Sequence, residues 1–174
     1  ESNEDKIEAL EEFINKIEPI VTKRYGSYGS AKVEIEKGVE YLRSTNQILT
    51  LKALNSFHKA KTLWFHDESF EGYVLALINI AQLYSSIGLN MAAKYYALSA
   101  FWASANKGDS KMLKRIADSL SIIFYSDFKQ GSWMNAISTF ADYLNARNEF
   151  RTSELNPEID VMPFKAMSDL AFIF

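Results

Sequence analysis

Histidine is the residue of this chain best suited to holding a metal ion or moving a proton near neutral pH, and the sequence has two. His58 lies within an apolar helical pattern, and His66 precedes Asp67 and Glu68. These side chains supply nitrogen and oxygen donors, but they lack the ligand spacing of a defined zinc motif. We therefore expect no metal site, and we interpret Asp67 to Ser69 as the cap of the next helix.

Other patterns that carry catalysis are missing from the chain. It contains no cysteine, and no serine stands in the Gly-x-Ser-x-Gly elbow of a nucleophile. The stretch YGSYGS at 25–30 lacks the lysine of a phosphate-binding loop, so we predict an ordinary loop there. The acids Glu11 and Glu12 lie in a charged segment, whereas a catalytic carboxylate needs surroundings that shift its pKa. We expect no catalytic residue, no cofactor and no enzymatic activity.

A basic cluster is formed by Lys107, Lys111, Lys114 and Arg115. It has two interpretations, a solvated start of a helix or an anchor for an acidic peptide or a phosphate group. The whole chain carries a formal net charge of −3, and residues 1–12 alone hold six acids and one lysine. Because nucleic-acid binding requires a basic domain or an aromatic-rich basic patch, this charge disfavours a nucleic-acid partner.

Length and composition suit one globular domain. The chain has 174 residues, 48% of them hydrophobic, with only seven glycines and three prolines, which favours long helices. No apolar run approaches the ~18 residues of a membrane span, and the acidic start is unlike a signal peptide. The missing cysteines fit a reducing compartment, so we expect a cytoplasmic protein. A start without Met and an end on LAFIF suggest a fragment of a longer protein.

Apolar residues recur at helical spacing along nearly the whole chain. Ile7, Leu10, Ile14, Ile17 and Val21 form one such stripe near the start, in a heptad-like spacing. We predict an all-α domain over 1–174 with a terminal helix at each end and three helix pairs between them. Its boundaries are 4–22 for the first helix, 31–63, 70–106 and 110–148 for the pairs, and 163–173 for the last helix.

Helix stops and starts follow a regular pattern of residues. Ser44 and Gln47 can form a capping box, and Gly88 is suited to the left-handed residue that ends a helix. Asn90 is then the predicted N-cap of the following helix. The same order, a glycine followed by a capping residue, recurs at Gly108–Asp109 and Gly131–Ser132.

Small residues repeat on the second helix of each predicted pair. The three matching sets are Ala53, Phe57 and Ala60; Ala93, Ala97 and Ala100; and Ala136, Phe140 and Tyr143. Self-similarity at a nearly fixed period is typical of a helical solenoid. Small side chains on one face allow two antiparallel helices to approach closely.

The middle unit, residues 74–107, resembles the tetratricopeptide repeat. Its characteristic positions are filled by Leu77, Ile80, Ala81, Tyr84, Gly88, Ala93 and Ala100, while Ala97 replaces the usual aromatic residue. In the outer units the resemblance covers mainly the second helix, and the period exceeds that of the family. The resemblance implies an α-α superhelix of stacked antiparallel helix pairs, and a generic α-α superhelix is the more general form of this prediction.

In that family the first helices of the pairs line a concave groove. The resemblance therefore implies a partner-binding surface at Leu75, Ile78, Asn79, Gln82, Ser85 and Ser86. Under its second interpretation, the basic cluster adds Lys111, Lys114 and Arg115 as an anchor for the partner. We expect a scaffold that binds a peptide or protein in this groove. A regulatory or sensor segment of a larger enzyme, signalling protein or transcriptional regulator is the alternative, and self-association through the terminal helices is a third.

Overall fold

The computed structural model describes residues 3–43, 46–66, 68–150, 163 and 165–168, and no β-strand occurs among them. The chain divides into two compact units, Glu1–Ala76 and Leu77–Phe174. The helices are α1 (Asn3–Leu42), α2 (Gln47–His66), α3 (Phe70–Ser86), α4 (Asn90–Lys107), a short 3₁₀ turn (Ser110–Met112), α5 (Leu113–Lys129) and α6 (Trp133–Phe150). The prediction of an all-α chain is confirmed for the described residues.

The first unit begins with a helical hairpin instead of two helices and a loop. Helix α1 is broken only at Gly26, where φ is 62° and ψ is −153°, and the chain reverses there. We call residues 3–25 the first arm and residues 27–42 the second arm. The predicted loop at 25–30 is therefore wrong, because a single glycine in a backbone region closed to other residues replaces it.

Helix α2 packs against α1 through its predicted stripe. Ala53, Phe57 and Ala60 are all essentially inaccessible to solvent. A Cβ atom at Gly38 would lie 2.4 Å from the Phe57 ring, so this glycine provides the space in which the ring packs. Glycine weakens a helix by about 1 kcal/mol relative to alanine, but at this position it allows an aromatic core residue to pack closely.

Three connections in the described part of the chain share one turn geometry. In each, a residue with positive φ follows the helix, and the next amide donates a hydrogen bond of 2.9 Å to the carbonyl five residues back. The carbonyl of that same residue accepts the first hydrogen bond of the following helix. This Schellman arrangement ends one helix and starts another within three residues. The positive-φ residues are Glu68, Gly88 and Gly131, and those that follow them are Ser69, Leu89 and Ser132.

The prediction of a left-handed residue at Gly88 is confirmed, whereas that of a cap at Asn90 is wrong. Asn90 is the first residue of α4, and Leu89 is the N-cap, without a side-chain hydrogen bond. Leu89 has no side-chain acceptor for the free amides of the first turn, and its carbonyl accepts only the first hydrogen bond of the helix, from the Ala93 amide. At the start of α2, Asn46 Oδ1 accepts a hydrogen bond of 2.8 Å from the Ile48 amide. The proposed caps Ser44 and Asp67 lie outside the described residues.

The second unit is organised around α5, which packs against both α4 and α6. Almost every residue from Ala117 to Asp127 is buried, and this includes three serines and two aspartates. Ala117 and Leu120 pack with Tyr143 and Ala146 of α6. Helix α5 is therefore buried on more faces than the single apolar stripe indicates.

Helix α4 presents its small residues to the interior. Ala93, Ala97 and Ala100 are fully buried, as the repeat pattern predicts, and Ser104 extends the stripe. Lys94 on the same helix forms an ion pair of 2.5 Å with the buried Asp127 of α5. This ion pair joins α4 to α5.

Residues near the C-terminus are described only in part. Pro163 and residues 165–168 are helical, and Ala166 packs with Phe124 and Ala136. The rest of the predicted helix over 163–173 lies outside the described residues. Among the described helices, none combines the length and apolarity needed to cross a bilayer.

Candidate docking groove

The predicted groove residues all lie on α3. Leu75 belongs to the first unit, and the other five belong to the second. Ile78 is 2% exposed, so its side chain is not accessible to a partner in this structure. Ser86 is exposed and donates a hydrogen bond to the Leu83 carbonyl, while Leu75, Asn79, Gln82 and Ser85 are half-buried. A partner surface here stays a prediction.

The basic cluster is placed at the beginning of α5. Lys111 is exposed, whereas Lys114 and Arg115 are half-buried. Arg115 Nη1 lies 3.7 Å from Oδ2 of the buried Asp118. Burial raises the pKa of Asp118 to about 6, while Arg115 and Lys114 act to lower it. Two of the three predicted anchors therefore stabilise a carboxylate of their own helix.

The two histidines do not meet in a metal centre. Within the described ranges, no group of three or more His, Cys, Asp or Glu side chains is arranged to hold a metal ion. His66 is exposed at the end of α2. Burial, and then the charge of Lys61, lowers the pKa of the half-buried His58, so its ring is neutral at pH 7.

An apolar groove of about 610 Å³ runs between the two arms of α1, and we call it the docking groove. Its first-arm wall is formed by Leu10, Phe13, Ile14, Ile17, Val21 and Tyr25. Tyr28, Gly29, Val33 and the stems of charged residues form the second-arm wall. The two arms pack against each other, and the groove lies between them on the side that is open to solvent.

Much of the apolar surface in the docking groove is in contact with solvent. Phe13 is 59% exposed, Tyr25 is 56% exposed and Tyr28 is 41% exposed. Contiguous exposed apolar surface of this kind marks interaction sites in soluble proteins. Four residues of the predicted heptad-like stripe also line this groove, namely Leu10, Ile14, Ile17 and Val21.

The end of the docking groove near Gly26 is positively charged. The Arg24 guanidinium lies 5.2 Å from the centre of the Tyr25 ring, and Lys32 Nζ lies 4.9 Å from that of Tyr28. Neither cation has a carboxylate within ion-pair distance in the part of the chain that the structure describes. Both remain available to an anionic group at this end of the groove.

A polar cluster joins the helices at the end of the hairpin opposite Gly26. Glu11 Oε1 accepts hydrogen bonds from Tyr41 Oη at 2.8 Å and from Lys52 Nζ at 2.7 Å. It thereby joins the first arm, the second arm and α2. The hydrogen bonds from Lys52 and Tyr41 hold the pKa of the Glu11 carboxyl below its ordinary value. This cluster links the two arms at the end of the hairpin opposite Gly26.

We predicted the first-arm stripe from the sequence, but not the groove beside it in which Phe13 and Tyr25 are exposed. The aromatic residues on either side of Gly26, Tyr25 and Tyr28, were the available signal, because large rings flanking a glycine reversal have few neighbours to cover them. The chain matches no protein-family model, no curated protein and no solved structure. We therefore infer function from the geometry of the docking groove.

Proposed function

We propose that this chain is a non-catalytic protein-interaction module and that the docking groove binds an amphipathic helix of a partner protein. The observation that supports this is the exposed aromatic surface of Phe13, Tyr25 and Tyr28 in an apolar groove between two helices. A helix laid into such a groove buries its apolar face and completes a three-helix layer. Aromatic residues are also the side chains that most often dominate binding energy at interfaces.

The dimensions and charge of the groove define the partner further. From Leu10 to Tyr25 the wall spans about 22 Å of helix, which corresponds to a partner helix of about 15 residues. Arg24 and Lys32 at the Gly26 end favour an acidic last turn, because the helix dipole already places negative charge at a C-terminus. We expect apolar side chains at three- and four-residue spacing on the bound face.

We also propose that the helix pairs are tetratricopeptide-like repeat units of an α-α superhelix. The shared turn at Glu68, Gly88 and Gly131 supports this, as do the buried alanines Ala53 and Ala93. Each repeat in such an array buries its apolar face against its neighbours. A hairpin with an uncovered apolar groove fits the end of such a stack.

Binding of a synthetic peptide tests the proposed docking site. A fluorescently labelled amphipathic peptide of about 15 residues with glutamates in its last turn is titrated with the chain, and anisotropy is measured. We expect saturable binding that Phe13→Gln weakens about tenfold, or about 1.4 kcal/mol. Ile20→Gln is the matched control, because Ile20 is 67% exposed on the same arm and does not line the groove. It should change the affinity by less than about twofold.

Results of two kinds would contradict this proposal. The first is an equal loss of affinity in the Phe13 and Ile20 variants, or no saturable binding to the wild-type chain. The second comes from sedimentation of the chain alone. If the wild-type chain dimerises and Phe13→Gln restores the monomer, the groove binds a second copy and not a different protein.

A further inference from the structure

A second depression of about 590 Å³ lies in the first unit, where both arms of α1 meet α2. It shares no lining residue with the docking groove. Its volume lies within the range of small-molecule sites in proteins. Its walls carry mostly polar side chains, and we call it the acceptor pocket for the reason developed below.

Glu34 is the central feature of the acceptor pocket. The residue is 4% exposed, and its Oε2 atom has no hydrogen-bond partner among the described residues. Its Oε1 atom lies 3.7 Å from Lys59 Nζ, which is too long for a hydrogen bond, and the Lys59 side chain is largely in solvent. A buried carboxylate without a donor is unfavourable, so Glu34 lacks at least one hydrogen-bond donor.

The neighbouring hydroxyl groups do not supply this donor. Thr62 Oγ1 donates to the His58 carbonyl at 3.1 Å, and Ser30 Oγ donates to the Gly26 carbonyl at 3.4 Å. Thr22 Oγ1 and Ser30 Oγ lie 2.6 Å apart, so one of these two hydroxyls donates to the other. None of the three hydroxyls is a hydrogen-bond partner of Glu34 Oε2, and their oxygen atoms keep lone pairs that can accept.

The acceptor pocket also carries more negative than positive charge. Glu18 contributes a second carboxylate to the lining, and Lys59 contributes the positive charge. His58 also lines the pocket, and burial followed by the charge of Lys61 lowers its pKa, which leaves the ring neutral at pH 7. Negative charge and acceptor atoms are thus in excess over positive charge and donors.

We propose that the acceptor pocket binds an alkylammonium group, supplied by a small aliphatic diamine or by a lysine side chain. An ammonium group offers three N–H donors and one positive charge. One donor reaches the Glu34 carboxylate, and the others reach hydroxyl oxygens such as those of Thr22 and Thr62. The site is independent of the docking groove, so its presence or absence does not bear on partner binding there.

Calorimetric titration of the full chain with putrescine tests this proposal. We expect saturable binding that is much stronger than that of butanediol, which has hydroxyl groups in place of the amines. Tetramethylammonium carries the charge without an N–H donor and should also bind more weakly. Nα-acetyl-lysine methylamide distinguishes the two sources of the group, since tighter binding than putrescine identifies a lysine side chain as the natural ligand and weaker binding identifies a free amine. Either order supports the proposal.

Substitutions test whether putrescine binds in the acceptor pocket. Glu34→Gln keeps the side-chain shape and should weaken putrescine binding by about tenfold or more, because charge-assisted hydrogen bonds are the stronger ones. Glu36→Gln on the same arm is the matched control, since Glu36 is exposed and lies outside the pocket, and it should leave the affinity unchanged. Thr62→Val removes one acceptor from an exposed position, and we expect a weakening of about threefold even if the Glu34 variant does not fold.

The proposal is overturned if butanediol or tetramethylammonium binds as tightly as putrescine. It is also overturned if neither amine binds, or if Thr62→Val and Glu36→Gln have the same effect on the affinity.

Discussion

At the scale of single residues, Glu68 differs from the other two positive-φ residues of the shared turn, because both of those are glycines. It has a φ of 53° and occupies the position in the shared turn that Gly88 and Gly131 fill elsewhere. A residue with a Cβ atom is strained in this left-handed conformation, and glycine is not. The sequence predicts a helix start at Asp67 to Ser69 but does not identify the left-handed residue, because the pattern contains no glycine there. Only the backbone conformation identifies Glu68 with the two glycines.

Replacing Glu68 with glycine should therefore stabilise the protein. We expect Glu68→Gly to raise the free energy of unfolding by about 0.5–1 kcal/mol, since relief of strain exceeds the added entropy of the unfolded chain. Urea denaturation measures the change. Glu71→Gly is the control, because the same substitution inside α3 should destabilise by about 1 kcal/mol. Destabilisation by both variants would show that Glu68 is not strained.

At the scale of helices, the sequence pattern of α5 predicts one buried face but not the full extent of its burial. Its stripe of Ile116, Ala117, Leu120 and Phe124 predicts one buried face, yet Asp118 and several serines are buried as well. The run from Ser119 to Ser126 contains no charged residue, and this was the available signal that the helix is covered on several sides. Which neighbours cover it is decided by contacts distant in sequence, with α4 and α6.

Burial of Asp118 should make stability depend on pH. Its pKa rises from an ordinary value of 3.8 to about 6 in the folded protein. The folded state then binds the proton more tightly than the unfolded state, so stability falls as the pH rises between these two values. Relative to wild type, Asp118→Asn should gain about 2 kcal/mol between about pH 4 and pH 7.

Chemical denaturation at the two pH values measures this difference. Asp142→Asn is the control, because Asp142 is exposed on α6, and its stability should follow the wild-type pH dependence. If the Asp118 variant also follows the wild-type dependence, the carboxyl group is not held in its protonated form by burial.

At the scale of the whole molecule, the reversal at Gly26 has the largest consequence. Forty residues of α1 would span about 60 Å as one straight helix. The break folds this length back on itself, and the docking groove and the acceptor pocket both depend on the resulting hairpin. Nothing would lie within 4 Å of a Cβ atom at Gly26, so the requirement for glycine comes from the backbone itself.

Substitution of this glycine should open or weaken the hairpin. We expect Gly26→Ala to lower the free energy of unfolding by about 2–3 kcal/mol and to increase the maximum dimension seen in small-angle scattering. Gly108→Ala is the control, since φ of 63° and ψ of 17° at Gly108 lie in the left-handed helical region, where alanine costs about 1 kcal/mol. Equal effects of the two variants, with unchanged dimensions, would contradict the role given to Gly26.

The sequence by itself determined the helices, the small-residue stripes such as Ala93 to Ala100, and the helix stop at Gly88. These features follow from local rules, namely a period of 3.6 residues and the backbone freedom of glycine. Only the tertiary structure decided that α1 folds back at Gly26, that Phe13 and Tyr25 remain uncovered, and that Glu34 is buried without a donor. Exposure and hydrogen-bond partners depend on residues far apart in the chain, and helical periodicity carries no information about which of them meet.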